Sequence, residues 1–156
     1  MVEQLDDFDS VVVPVGGGGL ISGISIAVKS SRPSVRVFGV EPTGAAKLGA
    51  SLRAGRRVSI EAPKSIADGL IPNGVGEIAF DVCRKNVDGT FEVTDEEILE
   101  AMRMMVRETR VVPEPSGAAP VAALLAARDV ERLGERVVLV VSGGNVSLEL
   151  LRKVLG

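Results

Sequence analysis

Four consecutive glycines, Gly16, Gly17, Gly18 and Gly19, are the residues of this sequence best able to hold a ligand. Having no side chains, they can turn several backbone N–H groups toward one point. Apolar residues at helical spacing begin at Leu20, so a helix dipole adds positive potential at the same place. A strand-to-helix turn can need glycine for its geometry alone, but four in a row exceed that need because each costs backbone entropy. The run therefore predicts a phosphate site.

The spacing of the glycines narrows the class of phosphate ligand. A dinucleotide-binding turn has the pattern G-x-G-x-x-G, and here Ile21 and Ser22 occupy the places of its third glycine. The lysine of a Walker A loop is also absent. Dinucleotides and nucleoside triphosphates are therefore disfavoured.

A second glycine turn, at Ser142, Gly143, Gly144 and Asn145, follows another apolar run. Open parallel sheets bind their ligands at the carboxyl ends of the strands. We therefore expect the two glycine turns to face one crevice.

The hydrophobic pattern predicts the strands and helices that flank these turns. Nearly continuous apolar runs are typical of strands buried on both faces of a parallel sheet. The sequence thus predicts an α/β fold with three layers, a mainly parallel sheet flanked by helices. The predicted strands cover residues 10–15, 35–40, 90–93 and 136–141. The predicted helices cover residues 20–31, 43–54, 76–85, 94–109, 115–128 and 146–155, and residues 55–76 are expected to form loops near a site.

Three local details sharpen the helix predictions. Thr43 is expected to cap the second helix, and Thr94 with Glu97 predicts a capping box for the fourth. In the last helix the leucines at positions 148, 151 and 155 are expected to face inward.

The composition excludes several classes of function. A net charge of -3 and an isoelectric point near 5.1 indicate neither a nucleic-acid nor a membrane partner. Cys83 is the only cysteine and histidine is absent, which excludes disulfide frameworks, histidine or cysteine zinc sites and histidine-based triads. The acidic N-terminus lacks the pattern of a signal peptide, which predicts a cytoplasmic location. The length of 156 residues predicts one domain, and small molecules are the expected ligands.

Six segments occur in the order found in one enzyme family: VPVGGGGLISGI, GVEP, SIADGL, VTDEEI, EPSGAA and VVSGGNVS. From about residue 9 to residue 148, the sequence resembles the C-terminal half of threonine dehydratases and serine racemases. These are fold-type II pyridoxal-phosphate enzymes, so the resemblance implies the large-domain fold shared with the tryptophan synthase β subunit. It also implies pyridoxal 5'-phosphate as the cofactor and an amino acid as the substrate.

The resemblance assigns roles to particular residues. It places the cofactor phosphate on the four glycines of residues 16–19, with Leu20 at the start of the helix, and it places Ser142 against the pyridine nitrogen. A neutral hydroxyl there makes the ring a weaker electron sink than a carboxylate would, which favours β-elimination. Gly69 and Glu114 are implied to lie near the cofactor face, together with Asp68. The alternatives are that the Asp-Gly pair forms an ordinary turn and that Glu114 favours a helix dipole.

Metal-dependent members of this family bind a divalent cation at positions that correspond here to Glu41, the Ala45 carbonyl and Lys47. The first two match, but Lys47 replaces an acid with a cation, which would repel a hard ion. A divalent cation is therefore not expected. Lys47 either forms an internal salt bridge that replaces the ion, with Glu41 as a candidate partner, or is a solvated helix lysine.

The family's Schiff-base lysine, its small domain and its N-terminal half have no counterpart in these 156 residues, which predicts an incomplete large domain. The five lysines lie in contexts unlike that of the catalytic one; they are Lys29, Lys47, Lys64, Lys85 and Lys153. The first hypothesis is that the chain is the cofactor-binding part of a threonine or serine ammonia-lyase that forms a 2-oxo acid. The alternative is a truncated or inactive domain that binds pyridoxal phosphate or phosphate and serves assembly or sensing.

A protein partner is expected under both hypotheses, because a domain divided in this way exposes apolar surface. The partner would be either the complementary N-terminal half or a second copy of the chain. The substrate stays open among threonine, serine and hydroxyaspartate, because the small domain makes most of that selection.

Overall fold

The computed structural model describes residues 2–126 and 128–156, so Met1 and Ala127 lie outside the described part. This part contains four strands and six α-helices, with one or two helices after each strand. The strands are β1 (Ser10–Pro14), β2 (Arg36–Pro42), β3 (Gly89–Val93) and β4 (Val137–Leu139). The helices are α1 (Gly19–Ser31), α2 (Lys47–Ala54), α3 (Glu77–Asn86), α4 (Asp95–Met104), α5 (Pro115–Leu125) and α6 (Leu148–Leu155).

The strands form one sheet in the order β3-β2-β1-β4, and all three pairings are parallel. β1 lies in the interior, where Val12 stands opposite Phe38 of β2 and Leu139 of β4. Every residue of β1 is buried. The prediction of a parallel sheet from continuous apolar runs is confirmed.

The sheet carries a hydrophobic core on each face, which confirms the predicted three layers. Val12 points to the face covered by α4, α5 and α6, where it joins Ile98, Met102 and Val154. Val11 and Val13 point to the opposite face and pack with Ile21 of α1 and other residues of that layer. Alternate residues of one strand therefore supply both cores.

Helix α4 begins with the predicted capping box: Glu97 N–H donates to the Thr94 side chain, and the Glu97 carboxylate accepts from Thr94 N–H. The α-helix ends at Met104, and residues 105–109 continue as a π-helical turn instead of the predicted α-helix. Thr43 does not cap a helix as predicted. It begins a short 3₁₀ turn without a side-chain cap, and α2 starts only at Lys47.

The C-terminal elements are shorter than predicted. β4 covers three of the six residues expected for that strand, and α5 ends at Leu125. The predicted continuation of α5 to residue 128 passes through Ala127, which lies outside the described residues.

The inward orientation predicted for Leu148 is wrong. Ser147 caps α6 by accepting from Leu150 N–H, so Leu148 becomes its first residue and is 72% exposed. Leu150 and Val154, one turn apart, pack into the core instead.

The strand order places a topological switch between β1 and β4. The chain passes from β1 to β2 and β3 on one side, then returns to add β4 on the other side of β1. Open α/β sheets form a crevice at the carboxyl ends of the strands at such a point. Both glycine turns follow these two strands, as expected.

Candidate functional site

One cavity of about 250 Å³ lies at the carboxyl ends of β1 and β4. It is lined by every residue that the sequence indicated for the cofactor phosphate and the pyridine nitrogen, and by Gly69 and Glu114 but not Asp68 of the predicted cofactor face. The lining residues are Pro14, Gly16, Gly17, Gly18, Gly19, Leu20, Gly69, Leu70, Glu114, Ser116 and Ser142. Segments distant in the sequence thus meet at the point that the topology favours for a ligand.

The glycine loop uses each glycine differently. Gly18 has a φ of 91°, which suits glycine, and it directly precedes α1. A Cβ on Gly16 would lie 2.4 Å from the Gly69 carbonyl oxygen, so the loop and the turn at residues 68–70 need glycine to approach this closely. At Gly17 and Gly19 a Cβ would meet no protein atom within 4 Å, which shows open space beside the loop.

The backbone donors of the glycine loop are available to a ligand. Within the described residues, the N–H groups at positions 16–20 have no protein acceptor. This agrees with the rule that the first N–H groups of a helix lack intrahelical partners. The dipole of α1 adds positive potential there, so the loop favours an anion.

A second helix, α5, begins at the same cavity. Ser116, its second residue, is buried, and its hydroxyl has no hydrogen-bond partner in the described structure. This hydroxyl lies 2.8 Å from the position of a Cβ on Gly69, beside the cavity. Ser116 was not among the site residues predicted from the sequence, although its place next to Pro115 at a helix start was the available signal.

Glu114 shapes the loop that carries Ser142. Its Oε2 accepts from Asn145 N–H at 3.1 Å, and its carboxylate occupies the space that a Cβ on Gly143 would need. On the other side of this loop, a Cβ on Gly117 would lie 2.6 Å from the Ser142 carbonyl oxygen. Close packing against α5 therefore fixes the position of Ser142 relative to the cavity.

Asp68 lies outside this cavity and lines a neighbouring depression of about 340 Å³ together with Pro115 and Asn145. Its Oδ1 accepts from Gly69 N–H at 2.8 Å. This contact agrees with the alternative that the Asp-Gly pair forms a turn.

Glu41, Ala45 and Lys47 come together outside the lining of the cavity, and Lys47 is completely buried. Its Nζ lies 3.3 Å from Glu41 Oε1 and 3.1 Å from the Ala45 carbonyl oxygen. The internal salt bridge is confirmed, and the solvated-lysine alternative is wrong. These residues do not fit a divalent cation, because the ammonium group occupies the point where their oxygens converge.

The pKa values of this pair reflect its burial. Desolvation raises the pKa of Glu41, although hydrogen bonds from Gly49 N–H and Leu48 N–H oppose the rise. Desolvation lowers the pKa of Lys47, and the Glu41 charge opposes that change. Across residues 2–126 and 128–156, no group of three or more His, Cys, Asp or Glu side chains could hold a metal ion.

None of the five lysines lines the cavity. Lys29 pairs with Asp88 at 2.8 Å, Lys47 is enclosed as described, and the remaining three are exposed. The cavity therefore offers an anion site without a lysine of this chain beside it.

A sequence profile described as "Pyridoxal-phosphate dependent enzyme" matches residues 1–143. The chain belongs to the pyridoxal-phosphate-dependent enzyme family. Family members similar to it include the L-threonine ammonia-lyase of Thermotoga maritima, which is 41% identical over 99% of this chain and 38% of the relative. The serine racemase of Dictyostelium discoideum is 37% identical over 99% of this chain and 48% of the relative.

Solved structures of the family show the same fold. The structure of maize serine racemase superposes with a TM-score of 0.90 and 36% identity, covering 97% of this chain and 47% of the maize chain. The 156-residue chain of this family member thus spans about half or less of the length of these relatives. No helix in its described part is both long and apolar enough to cross a membrane.

Proposed function

We propose that this chain is the cofactor-binding part of a pyridoxal-phosphate-dependent ammonia-lyase that converts a β-hydroxy amino acid to a 2-oxo acid. The observation that carries the proposal is the convergence of unpaired N–H groups and the unpaired Ser116 hydroxyl on one cavity. Relatives named L-threonine ammonia-lyase and phenylserine dehydratase support the reaction class.

The residues of the cavity fit pyridoxal phosphate at both ends. The N–H groups at positions 16–20 are proposed to bind the phosphate, with Ser116 as a further donor. Ser142 is proposed to face the pyridine nitrogen with a neutral hydroxyl. When bound, the cofactor supplies an electron sink for the amino acid, and a hydroxyl at its nitrogen tunes that sink toward β-elimination.

A lysine and a substrate-binding domain are needed to complete such an enzyme, and we propose that they come from polypeptide outside these 156 residues. The partner would be the complementary N-terminal half, within the same protein or as a separate chain, or a second copy of the chain. The proposed location is the cytoplasm. The proposed substrate class comprises threonine, serine and hydroxyaspartate, because relatives named for each have similar identity to this chain.

The second candidate is an inactive domain that binds pyridoxal phosphate or phosphate for assembly or sensing. The specific observation in its favour is that no lysine lines the cavity. Addition of the N-terminal half discriminates the two candidates: gain of 2-oxo acid formation from threonine or serine supports the lyase, and its absence in a stable complex supports the inactive domain.

Titration with pyridoxal phosphate, read by absorbance and repeated with inorganic phosphate as competitor, tests the site itself. We expect binding that phosphate displaces, with no borohydride-reducible adduct because no lysine is near. Absence of binding would contradict the proposal, and a stoichiometric adduct on one lysine would show that the chain supplies the catalytic residue.

Gly17→Ala sharpens this test. A methyl at Gly17 meets no protein atom within 4 Å, so the fold should persist while the methyl narrows the ligand space. Displacing even one hydrogen bond to a charged ligand should weaken binding by about tenfold or more. Gly23→Ala is the matched control, since its methyl is also unobstructed but lies within α1, away from the cavity. Equal binding by both variants would refute the role of the loop.

A further inference from the structure

Lys47 joins two segments that line the cavity, the glycine loop and the turn at residues 68–70. Its Nζ donates to the Val15 carbonyl oxygen at 2.8 Å and to the Leu70 carbonyl oxygen at 2.9 Å. Val15 directly precedes Gly16, and Leu70 directly follows Gly69. The close approach of these two glycines is therefore held by one side chain of α2 that does not itself line the cavity.

The contacts of Lys47 require the charged ammonium form. Its Nζ has three carbonyl oxygens within hydrogen-bond distance, those of Val15, Ala45 and Leu70. Carbonyl oxygens only accept, and a neutral amine has two N–H groups, so satisfying all three takes the three donors of an ammonium group.

Glu41 provides the balancing charge. Its Oε1 accepts from Leu48 N–H at 2.8 Å, and its Oε2 accepts from Gly49 N–H at 2.9 Å. Both carboxylate oxygens therefore act as acceptors, as expected of the ionised form. A buried charge pair that is hydrogen-bonded on every side fixes the geometry of the segments that supply its partners.

We infer that the Lys47 ammonium is a tethered cation that positions the glycine loop and the turn at residues 68–70 for anion binding. One carboxylate and three carbonyl oxygens form a ligand set that would also suit a free hard cation. Lys47 is thus a positioning residue whose place in the structure corresponds to that of a bound ion. This inference rests on the phosphate site proposed above.

The test compares Lys47→Ala with Lys47→Met in tetramethylammonium buffer containing a chelator, then adds ammonium, potassium, magnesium or calcium chloride. The readouts are the affinity for pyridoxal phosphate, with inorganic phosphate as competitor, and the melting temperature. Loss of a group that orients metal ligands costs about 10- to 100-fold in affinity, and we expect a loss of the same order in phosphate affinity for both variants. In Lys47→Ala a small cation should restore the affinity and the melting temperature, because the space left by the ammonium group is lined by oxygen atoms. In Lys47→Met the longer side chain fills that space, so no cation should restore either quantity.

Unchanged phosphate affinity in folded Lys47→Ala would overturn the inference, as would weakened affinity that no cation restores. If neither variant folds, the wild-type chain still provides a decisive measurement. Its affinity should be the same with chelator and with each added cation, and a requirement for any of them would refute the tethered cation. Failure of the wild-type chain to bind phosphate would reject the proposed function, while cation-dependent melting of Lys47→Ala would independently show what the ammonium group replaces.

Discussion

Among residues 2–126 and 128–156, two buried serine hydroxyls have no hydrogen-bond partner, those of Ser10 and Ser116. An unsatisfied buried hydroxyl costs free energy, so each needs a reason to persist. Ser10 starts β1 at the end opposite the cavity, whereas Ser116 lies beside the cavity. Only the Ser116 hydroxyl is placed to donate to a bound anion.

Ser116→Ala is expected to reduce the affinity for inorganic phosphate by about tenfold or more, the worth of one hydrogen bond to a charged ligand. The free energy of unfolding without ligand should stay constant or rise by up to about 1 kcal/mol, because an unsatisfied hydroxyl is removed. Isothermal titration and denaturant unfolding measure the two effects. Ser10→Ala is the control, because it should have the same effect on stability and leave phosphate affinity unchanged. An equal loss of phosphate affinity in Ser10→Ala would contradict the role of Ser116 in the site.

Among the strands, helices and turns, the features that could be predicted are those set by residues close together in the sequence. The apolar run of β1, the capping box of Thr94 and the glycine turns are local patterns, and the structure contains them. The environment of Lys47 could be named only as an alternative, because its carbonyl partners come from three separate segments. The unpaired state of Ser116 could not be predicted, since it depends on what α5 packs against.

The same limit explains the errors at element ends. Thr43 has the residue type of a cap but begins a 3₁₀ turn, and Leu148 lies at the first position of α6, where the core does not reach. A helical pattern gives the period of a stripe but not which residue starts the helix.

Asp9 connects two elements that carry the walls of the cavity, β1 and β4. Its Oδ2 accepts from Arg136 N–H and Glu135 N–H, each at 2.8 Å, and these backbone hydrogen bonds lower the pKa of Asp9 below its ordinary value of 3.8. A carboxyl whose pKa is lower in the folded state stabilises the fold above its ordinary pKa and loses that contribution as the pH falls through the folded value.

Asp9→Asn should therefore lower the melting temperature at neutral pH and flatten its decline on acidification below about pH 4. Melting curves of both proteins from neutral to acidic pH measure the difference. Asp81→Asn provides a control, because Asp81 has only an exposed pair with Arg84 at 3.5 Å, a type of contact worth little. An acid limb that is equally steep in Asp9→Asn and wild type would contradict the role of Asp9.

At the scale of the whole molecule, the sheet ends at β4, which pairs only with β1 among the described strands. After β4 come two exposed apolar side chains, Val141 at 39% and Leu148 at 72% exposure. An open strand edge is a template for further pairing, and exposed apolar side chains favour association. These features support the proposed protein partner.

Sedimentation velocity over a concentration series is therefore expected to show association of the isolated chain. Leu148→Glu should weaken it, because a charge would be buried in the contact. Ile78→Glu is the matched control, since Ile78 is even more exposed but belongs to α3 on the other face. A monomer at every concentration, or equal weakening by both variants, would exclude self-association through this surface.

The parallel order of the sheet also determines when the cavity can form. The contacts of Asp9 with the two residues before β4 join positions 126 and 127 apart in the sequence, so the two walls of the cavity come from distant segments. Closing so long a loop is costly and slow compared with local contacts. During synthesis the glycine loop emerges before Ser142, and the cavity is completed only after Ser142 has left the ribosome. Phosphate binding by the nascent chain would therefore report that the segments from Gly16 to Ser142 have folded together.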